Sequence, residues 1–476
     1  MPAAYDVTVI GAGVVGAAVA WRLSQDDLRV LWLEAAYDVA EGASKANSAI
    51  VASGYDTEPG TLESELLRAS NPRWEGICAA LDVPFRRVGA LVLAFAEEEL
   101  PSLRALAARA ATAGVQAEVI GGDQARALLP LVSGEAVAAL HVPAEGIIDP
   151  LRLTLAYAEL AVANGVELRL STPVTGFRRD ASGRLTHVRT PTGDHATGQV
   201  VNAAGLHADE ISRLAGAERF RTWPRKGEFL LVDREVGQRV SKILAPVPSP
   251  RTRGVLVVPT TNGSLLLGPT ADDGDDKRDR ATDGPTLERV LAAAARLLPG
   301  IERRHVTKTF AGLRPAADPT YRVERSALVP NLVHAAGIRS TGVSSSPAVA
   351  DRVRDLLAEG GLTATPRADA QAKLPRLPRL AELPAEEVVR LAAGDPGHRL
   401  VVCTCEHVSA AEIRAALRAR VPATSLDGVR KRTRAGGGRC QGAYCLAGIG
   451  FLLSLERGLP PGAIPQGGPG TCWGLG

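Results

Sequence analysis

The chain of 476 residues has six cysteines, and four of them lie between 403 and 445. They read Cys403-x-Cys405, then 34 intervening residues, then Cys440-x4-Cys445. In an extended segment residues i and i+2 point to one side, so Cys403 and Cys405 can serve one metal centre together. The second pair lies in TRAGGGRCQGAYC, where glycines give a flexible turn with backbone N–H groups free to bond sulfur. Four thiolates suit zinc or an iron–sulfur cluster on chemistry alone. The spacing is not the C-x2-C of zinc ribbons. Cys78 and Cys472 stand outside the pattern and read as packed or incidental residues.

A second constellation opens the chain. In DVTVIGAGVVGAAVAWRLSQDDLRVLWLE, Gly11, Gly13 and Gly16 form G-x-G-x-x-G between a strand and a helix. The first glycine permits the tight turn, the second lets backbone approach a pyrophosphate, and the third lets helix pack on strand. Helix N-terminal amides then face the phosphates. Glu34 closes the next strand, 23 residues after Gly11, where a carboxylate can accept hydrogen bonds from a ribose. This is a dinucleotide site, and the unit alone does not separate NAD from FAD.

These residues need a scaffold, and the pattern supplies one. Strand-like runs (DVTVI, RVLWLE, ALVLAF, VELRL, QVVNAAG, EFLLV, VLVVP, SLLLG) alternate with Ala/Leu-rich helical segments through residue 365. Residues 366–398 carry four prolines in TPRADAQAKLPRLPRLAELPAEE and read as a linker. Residues 399–476 form a small cysteine-bearing unit, with helical character in SAAEIRAALRARV. A net charge of +3 gives no global field for nucleic acid or membrane. No apolar run approaches the roughly 18–20 residues needed to cross a bilayer. The first residues lack the pattern of a signal peptide, so the cytoplasm is the expected compartment and structural disulfides are not expected.

Taken in order, GAGVVG, SKANSAIV, GIIDPLRLT, VVNAAGLHAD, KGEFLLVD, GVLVVPTTNGSLLLGPTADD, FAGLRP and AAGIRSTGVSSSPA resemble the D-amino-acid oxidase-like flavoproteins. The resemblance is to the branch of FAD-dependent glycerol-3-phosphate dehydrogenases and L-2-hydroxyglutarate oxidoreductases. It implies an α/β fold, a Rossmann-type FAD-binding domain interleaved with a mixed-sheet substrate domain. It also implies FAD contacts at Gly11, Gly13, Gly16, Glu34, Ser44, Asn47, Ser48, Val174, Ala204, Gly205, Gly312, Gly337 and Gly342. Val174 enters because STPVTGF is expected to be the strand beside the adenine. The loop of Gly337 and Gly342 opens a helix whose N-terminus would stabilise negative charge on the flavin ring.

On the substrate side the resemblance points to Arg314 in GLRP as the holder of an anionic group, which suits the planar fork of a guanidinium. Lys226 and Arg339 are weaker candidates for the same anion. One departure stands out: the relatives carry a histidine where this chain has Ala52. That imidazole is the natural acceptor for a hydroxyl proton. Tyr55 and Ser53 lie nearby, and His141 and His207 are remoter substitutes. Without the histidine, an amine substrate is an alternative to an alcohol.

VVCTCEHVSAAEIRAAL…TSLDGVRKRTRAGGGRCQGAYC is similar to the bacterioferritin-associated ferredoxin-type [2Fe-2S] domain, with Cys403, Cys405, Cys440 and Cys445 at the ligand positions. The two resemblances together imply an FAD-dependent dehydrogenase with a small helical [2Fe-2S] domain. The expected substrate is a small anion, glycerol 3-phosphate first and a 2-hydroxy acid or an amine or imino acid second. Electrons would leave through the cluster to a partner protein. A non-catalytic electron-transfer or regulatory subunit is the third reading. Neither nucleic acid binding nor membrane insertion is expected.

Overall fold

The computed structural model describes residues 4–249, 252–468 and 470–472. Every strand-like run named above overlaps a strand. Tyr5–Ile10 leaves the glycine turn into the helix Val14–Leu23, and the chain returns as Val30–Leu33. Tyr5–Ile10 pairs in parallel with Val30–Leu33 on one side and with Gly193–Asn202 on the other. Glu167–Arg169 and Leu332–Ala336 extend this parallel core, and antiparallel strands flank it. Three helices cover one face. Val14–Leu23, rich in alanine and glycine, packs closely between Pro150–Ala163 and Gly342–Glu359. Trp21 stacks on Tyr157 with ring centroids 4.8 Å apart. Burying each such large side chain contributes about 1.5–3 kcal/mol.

A nine-stranded sheet forms the second layer. It is mixed: Ile243–Pro246 pairs in parallel with Ala90–Ala94, and the other pairs are antiparallel. Its longest ladder joins Thr222–Val232 to Val306–Ala317, which sets Arg225 opposite Arg314 and Gly227 opposite Gly312. The chain enters and leaves this sheet from the nucleotide layer, as the interleaved arrangement requires. A small sheet, Ile50–Val51, Gly146–Ile148 and Phe85–Arg87, sits where the two layers meet.

The proline-rich segment behaves differently from a free linker. Arg367 N donates to Gln25 O at 2.8 Å, Leu374 N to Ala80 O at 2.9 Å, and Gln371 N to Asn164 Oδ1 at 2.8 Å. Arg379 reaches Asp82, and Ala385–Gly394 is a helix. Prolines fix an extended backbone here, and the donors between them tie it down. The segment is a strap along the nucleotide layer.

The C-terminal unit is a hairpin, Val401–Cys403 with Val408–Ser409, followed by the helices Ala410–Arg418, Leu426–Thr433 and Leu446–Arg457. Ser409 and Glu412 close a capping box at the first of these. Its own apolar core includes Ile413, Leu417, Val429, Ile449 and Leu453.

Candidate active site and iron–sulfur centre

The nucleotide seat follows from its glycines. Gly11 has φ +103°, and a Cβ there would come within 2.5 Å of Ala203 O. A Cβ on Gly16 would come within 2.0 Å of Gly11 O, so the helix meets the turn only because residue 16 is glycine. Gly13 is bounded on its open side by Ser44 Oγ, which accepts a hydrogen bond from Val14 N at 2.8 Å. Glu34 accepts from Ala12 N at 2.5 Å and from Ala36 N at 2.7 Å. Burial raises its pKa, and those two amides oppose the rise. Each carboxylate oxygen keeps a lone pair for a ribose.

The other expected contacts divide by what they do. Asn47 gives both N–H bonds to Ala43 O and Ser44 O and accepts from Ala49 N, so its side chain shapes the turn. Ser48 follows it, half-buried. Gly312 brings the second layer onto this turn: a Cβ there would lie 2.0 Å from Ala46 O. Ala204 and Gly205 end the strand Gly193–Asn202 beside Gly11, and Gly337 and Gly342 lead into the helix Gly342–Glu359 against Val14 and Val15. Val174 is half-buried, in the connector before the strand Gly176–Arg179 instead of in a strand. The backbone beside it is bound to the Glu34 loop, with Thr172 N donating to Glu34 O at 2.8 Å.

Among the described residues Arg314 has no carboxylate partner. Its Nε donates to Arg225 O at 3.2 Å, and one Nη donates to Thr270 O at 2.5 Å. The acid beside it is already taken, because Asp273 pairs with Arg225. Burial, then Arg225 and Arg339, lower the Arg314 pKa to about 10, so it stays charged at neutral pH. Lys226 is held by Asp279 at 2.9 Å, which makes it a structural charge in this geometry. Arg339 lies 3.7 Å from Glu63, and Glu63 accepts from Thr341. Tyr55 carries a pKa raised by burial and then by Asp56 and Glu145. His207 pairs with Glu210 on the surface, and His141 lies near Lys242 and Glu118 in the second sheet.

The four expected ligand cysteines converge. All four thiols are free, with Cys405 facing Cys440 and Cys403 facing Cys445. A Cβ on Gly438 would lie 2.4 Å from Cys405 Cβ, so that glycine lets the two segments close. Gly442, Ala443 and Tyr444 direct backbone N–H groups at Cys440, and these amides, Tyr444 foremost, hold its thiol below the ordinary value. Cys445 caps the helix Leu446–Arg457, and burial pushes its thiol up to about 12. Among the described residues no three His, Cys, Asp or Glu side chains form a single-ion site. Four convergent thiols would suit a two-iron centre held by four thiolates.

Residues 6–356 match the family model described as FAD dependent oxidoreductase. The chain belongs to that family. Residues 401–454 match the BFD-like [2Fe-2S] binding domain. Across 96% of this chain and 95% of the relative, the sequence is 35% identical to glycerol 3-phosphate dehydrogenase of Caloramator mitchellensis. It is 28% identical to one of the subunits of the anaerobic glycerol-3-phosphate dehydrogenase of Escherichia coli, over 94% of this chain and 88% of that one. The structure of FAD-bound L-alpha-glycerophosphate oxidase from Mycoplasma pneumoniae superposes with a TM-score of 0.74 at 27% identity, covering 79% of this chain and all of that one.

An FAD-dependent oxidoreductase must seat a pyrophosphate and a ribose, and the observed cradle fits both: a Cβ on Gly13 would press within 3.2 Å of Ser44 Oγ, so glycine keeps the backbone approach clear, and Glu34 keeps acceptor capacity. The cysteine cradle fits a [2Fe-2S] cluster, whose binding must release the Cys445 proton. Gly312→Ala is expected to lose FAD while keeping iron, read by flavin absorbance and iron analysis. The clash with Ala46 O should also cost about 1–3 kcal/mol of stability, read by thermal unfolding. Gly438→Ala is expected to do the reverse, losing iron while keeping FAD.

The oxidoreductase domain holds the cluster domain through charges that sequence reading missed. Asp38, 1% exposed, accepts two bonds from Arg432 at 2.9 Å and one from Lys431 at 3.1 Å. Lys431 also bonds Glu41 and lies over the Tyr37 ring. Glu406 binds Arg234 at 2.6 Å and Arg434 at 2.9 Å, and Val421 N donates to Glu159. Lys431 and Arg432, which lie between the two cysteine pairs, are spent on this interface. Glu145, Asp56, Arg253 and Glu63 around the substrate side were also missed. Each lies outside the segments named above, Glu145 and Arg253 immediately before GIIDPLRLT and GVLVVPTTNG.

Proposed function

We propose that the chain oxidises glycerol 3-phosphate at its secondary alcohol and passes the electrons through the [2Fe-2S] cluster to an acceptor protein. The observation that carries this reading is Arg314, a half-buried guanidinium fixed by backbone carbonyls with no acid of its own among the described residues. Such a fork holds a phosphate by paired charge-assisted bonds. The likeness to glycerol 3-phosphate dehydrogenases over nearly the whole chain supports the choice of substrate.

Bound FAD supplies a two-electron acceptor for hydride, and the cluster supplies one-electron carriage. The chain's residues do the rest. Arg314 fixes the phosphate, which orients the carbinol carbon. The helix N-terminus at Gly342 sets a positive dipole beside the expected ring position. Asp38, Glu41 and Glu406 hold the cluster domain against the oxidoreductase domain. The cluster then serves a partner protein, in line with the Escherichia coli relative being one subunit of its enzyme. No helix among the described residues is long and apolar enough to cross a membrane.

Ala52 favours a second reading, an amine or imino-acid substrate, because an amine reacts as its free base. Anaerobic mixing with glycerol 3-phosphate, 2-hydroxy acids and secondary amines separates the two. Flavin bleaching by glycerol 3-phosphate alone is the expected result, and bleaching by an amine alone would replace it.

A further inference from the structure

Removal of the hydroxyl proton has no imidazole at position 52, where only a methyl group stands. The adjoining residue is differently equipped. Ser53 donates both its backbone N–H and its hydroxyl to Glu145 Oε1, each at 2.6 Å. Both residues are buried, Ser53 at 2% and Glu145 at 4% exposure. The small sheet explains the meeting: Val51 pairs with Gly146, which sets residue 145 beside residues 52 and 53. The same strand end touches the ring-facing helix, since Ala52 N donates to Ser344 Oγ at 2.9 Å.

We propose that Glu145 is the acceptor of the substrate's hydroxyl proton, reached through the Ser53 hydroxyl. The inference rests on the alcohol-oxidation reading above. As the carbon loses hydride to FAD, the hydroxyl proton passes to Ser53 Oγ and the proton of Ser53 passes to Glu145 Oε1. A carbonyl forms, Ser53 is restored, and neutral Glu145 later gives its proton to water.

The surroundings suit a base. Arg253 is near but paired with Asp56, so no cation is committed to Glu145. Asp56 adds negative charge, Tyr55 is neutral at working pH, and Arg87 is spent on Glu75, Asn71 and Ala144 O. Burial, opposed by the Ser53 bonds, pushes Glu145 up to about 7. A base poised near neutrality is the most effective kind.

The test uses the FAD- and cluster-loaded protein with Glu145→Gln, Glu145→Asp and Ser53→Ala. Flavin reduction by glycerol 3-phosphate should rise with pH through an apparent pKa near 7 in the parent. Glu145→Gln should lose that limb and slow reduction by about 10²-fold with substrate affinity kept. Glu145→Asp should keep the limb. A second readout needs no turnover. Because the folded pKa lies above the ordinary 4.5, the melting temperature should fall as pH rises from 4.5 to about 7, and Glu145→Gln should flatten that fall. Parent-like rate and limb in Glu145→Gln would overturn the proposal, as would an unchanged melting profile. If an amine alone bleaches the flavin, the substrate reading fails. The proton path then falls with it, since an amine brings no hydroxyl proton, whereas bleaching by glycerol 3-phosphate with the limb kept in Glu145→Gln rejects the proton path alone.

Discussion

Arg314→Ala is expected to lower the second-order rate of flavin reduction by glycerol 3-phosphate by roughly 10²–10³. Truncating one partner of a buried, hydrogen-bonded charge pair costs about 2–5 kcal/mol, and each 1.4 kcal/mol is tenfold. The guanidinium has no carboxylate to release, so its loss leaves no stranded acid in the free protein. The cost should therefore fall on substrate binding: a raised KM with the limiting rate reduced less. Arg314→Lys should recover part of the loss, because an ammonium keeps the charge but lacks the fork. Lys226→Met is the matched control. Its ammonium is held by Asp279, so the expected change is within a few-fold. Stopped-flow reduction across a substrate series reads all three variants.

Lys431→Glu is expected to leave substrate-driven flavin reduction intact while cutting transfer from flavin to cluster by two orders of magnitude or more. Lys431 is 5% exposed and bound by Asp38, Glu41 and Val39 O. Reversal places three carboxylates together out of water. Breaking such a buried pair costs about 3–5 kcal/mol. At 1.4 kcal/mol per tenfold, the docked population falls by roughly 10²–10³. The cluster domain has its own apolar core, so its spectrum should survive. Lys431→Met should be milder, because Asp38 keeps Arg432. Following flavin and cluster bands separately after anaerobic mixing distinguishes failed docking from failed chemistry. If flavin reduction itself slows in proportion, the interface serves the flavin site instead.

What the sequence made legible was what backbone chemistry dictates. Gly11, Gly13 and Gly16 are readable because only glycine permits those approaches, and strand alternation located both layers. The four cysteines were readable because no other pattern of thiols occurs in the chain. Residues 366–398 misled, since proline content signals an extended backbone and does not say whether that backbone is pinned. Asp38 with Lys431, and Ser53 with Glu145, meet across 393 and 92 residues of chain. Such pairs have no local signature, because only the packed layers create them. The strand expected at Val174 starts two residues later, at Gly176, because alternation cannot set a strand boundary.

The most direct measurement of the central claim is anaerobic stopped-flow mixing of the FAD- and cluster-loaded protein with glycerol 3-phosphate, read at flavin and cluster wavelengths. The account predicts flavin bleaching first and cluster reduction after it, with one electron per cluster. Cluster reduction without prior flavin bleaching, or no bleaching at saturating glycerol 3-phosphate, would contradict it.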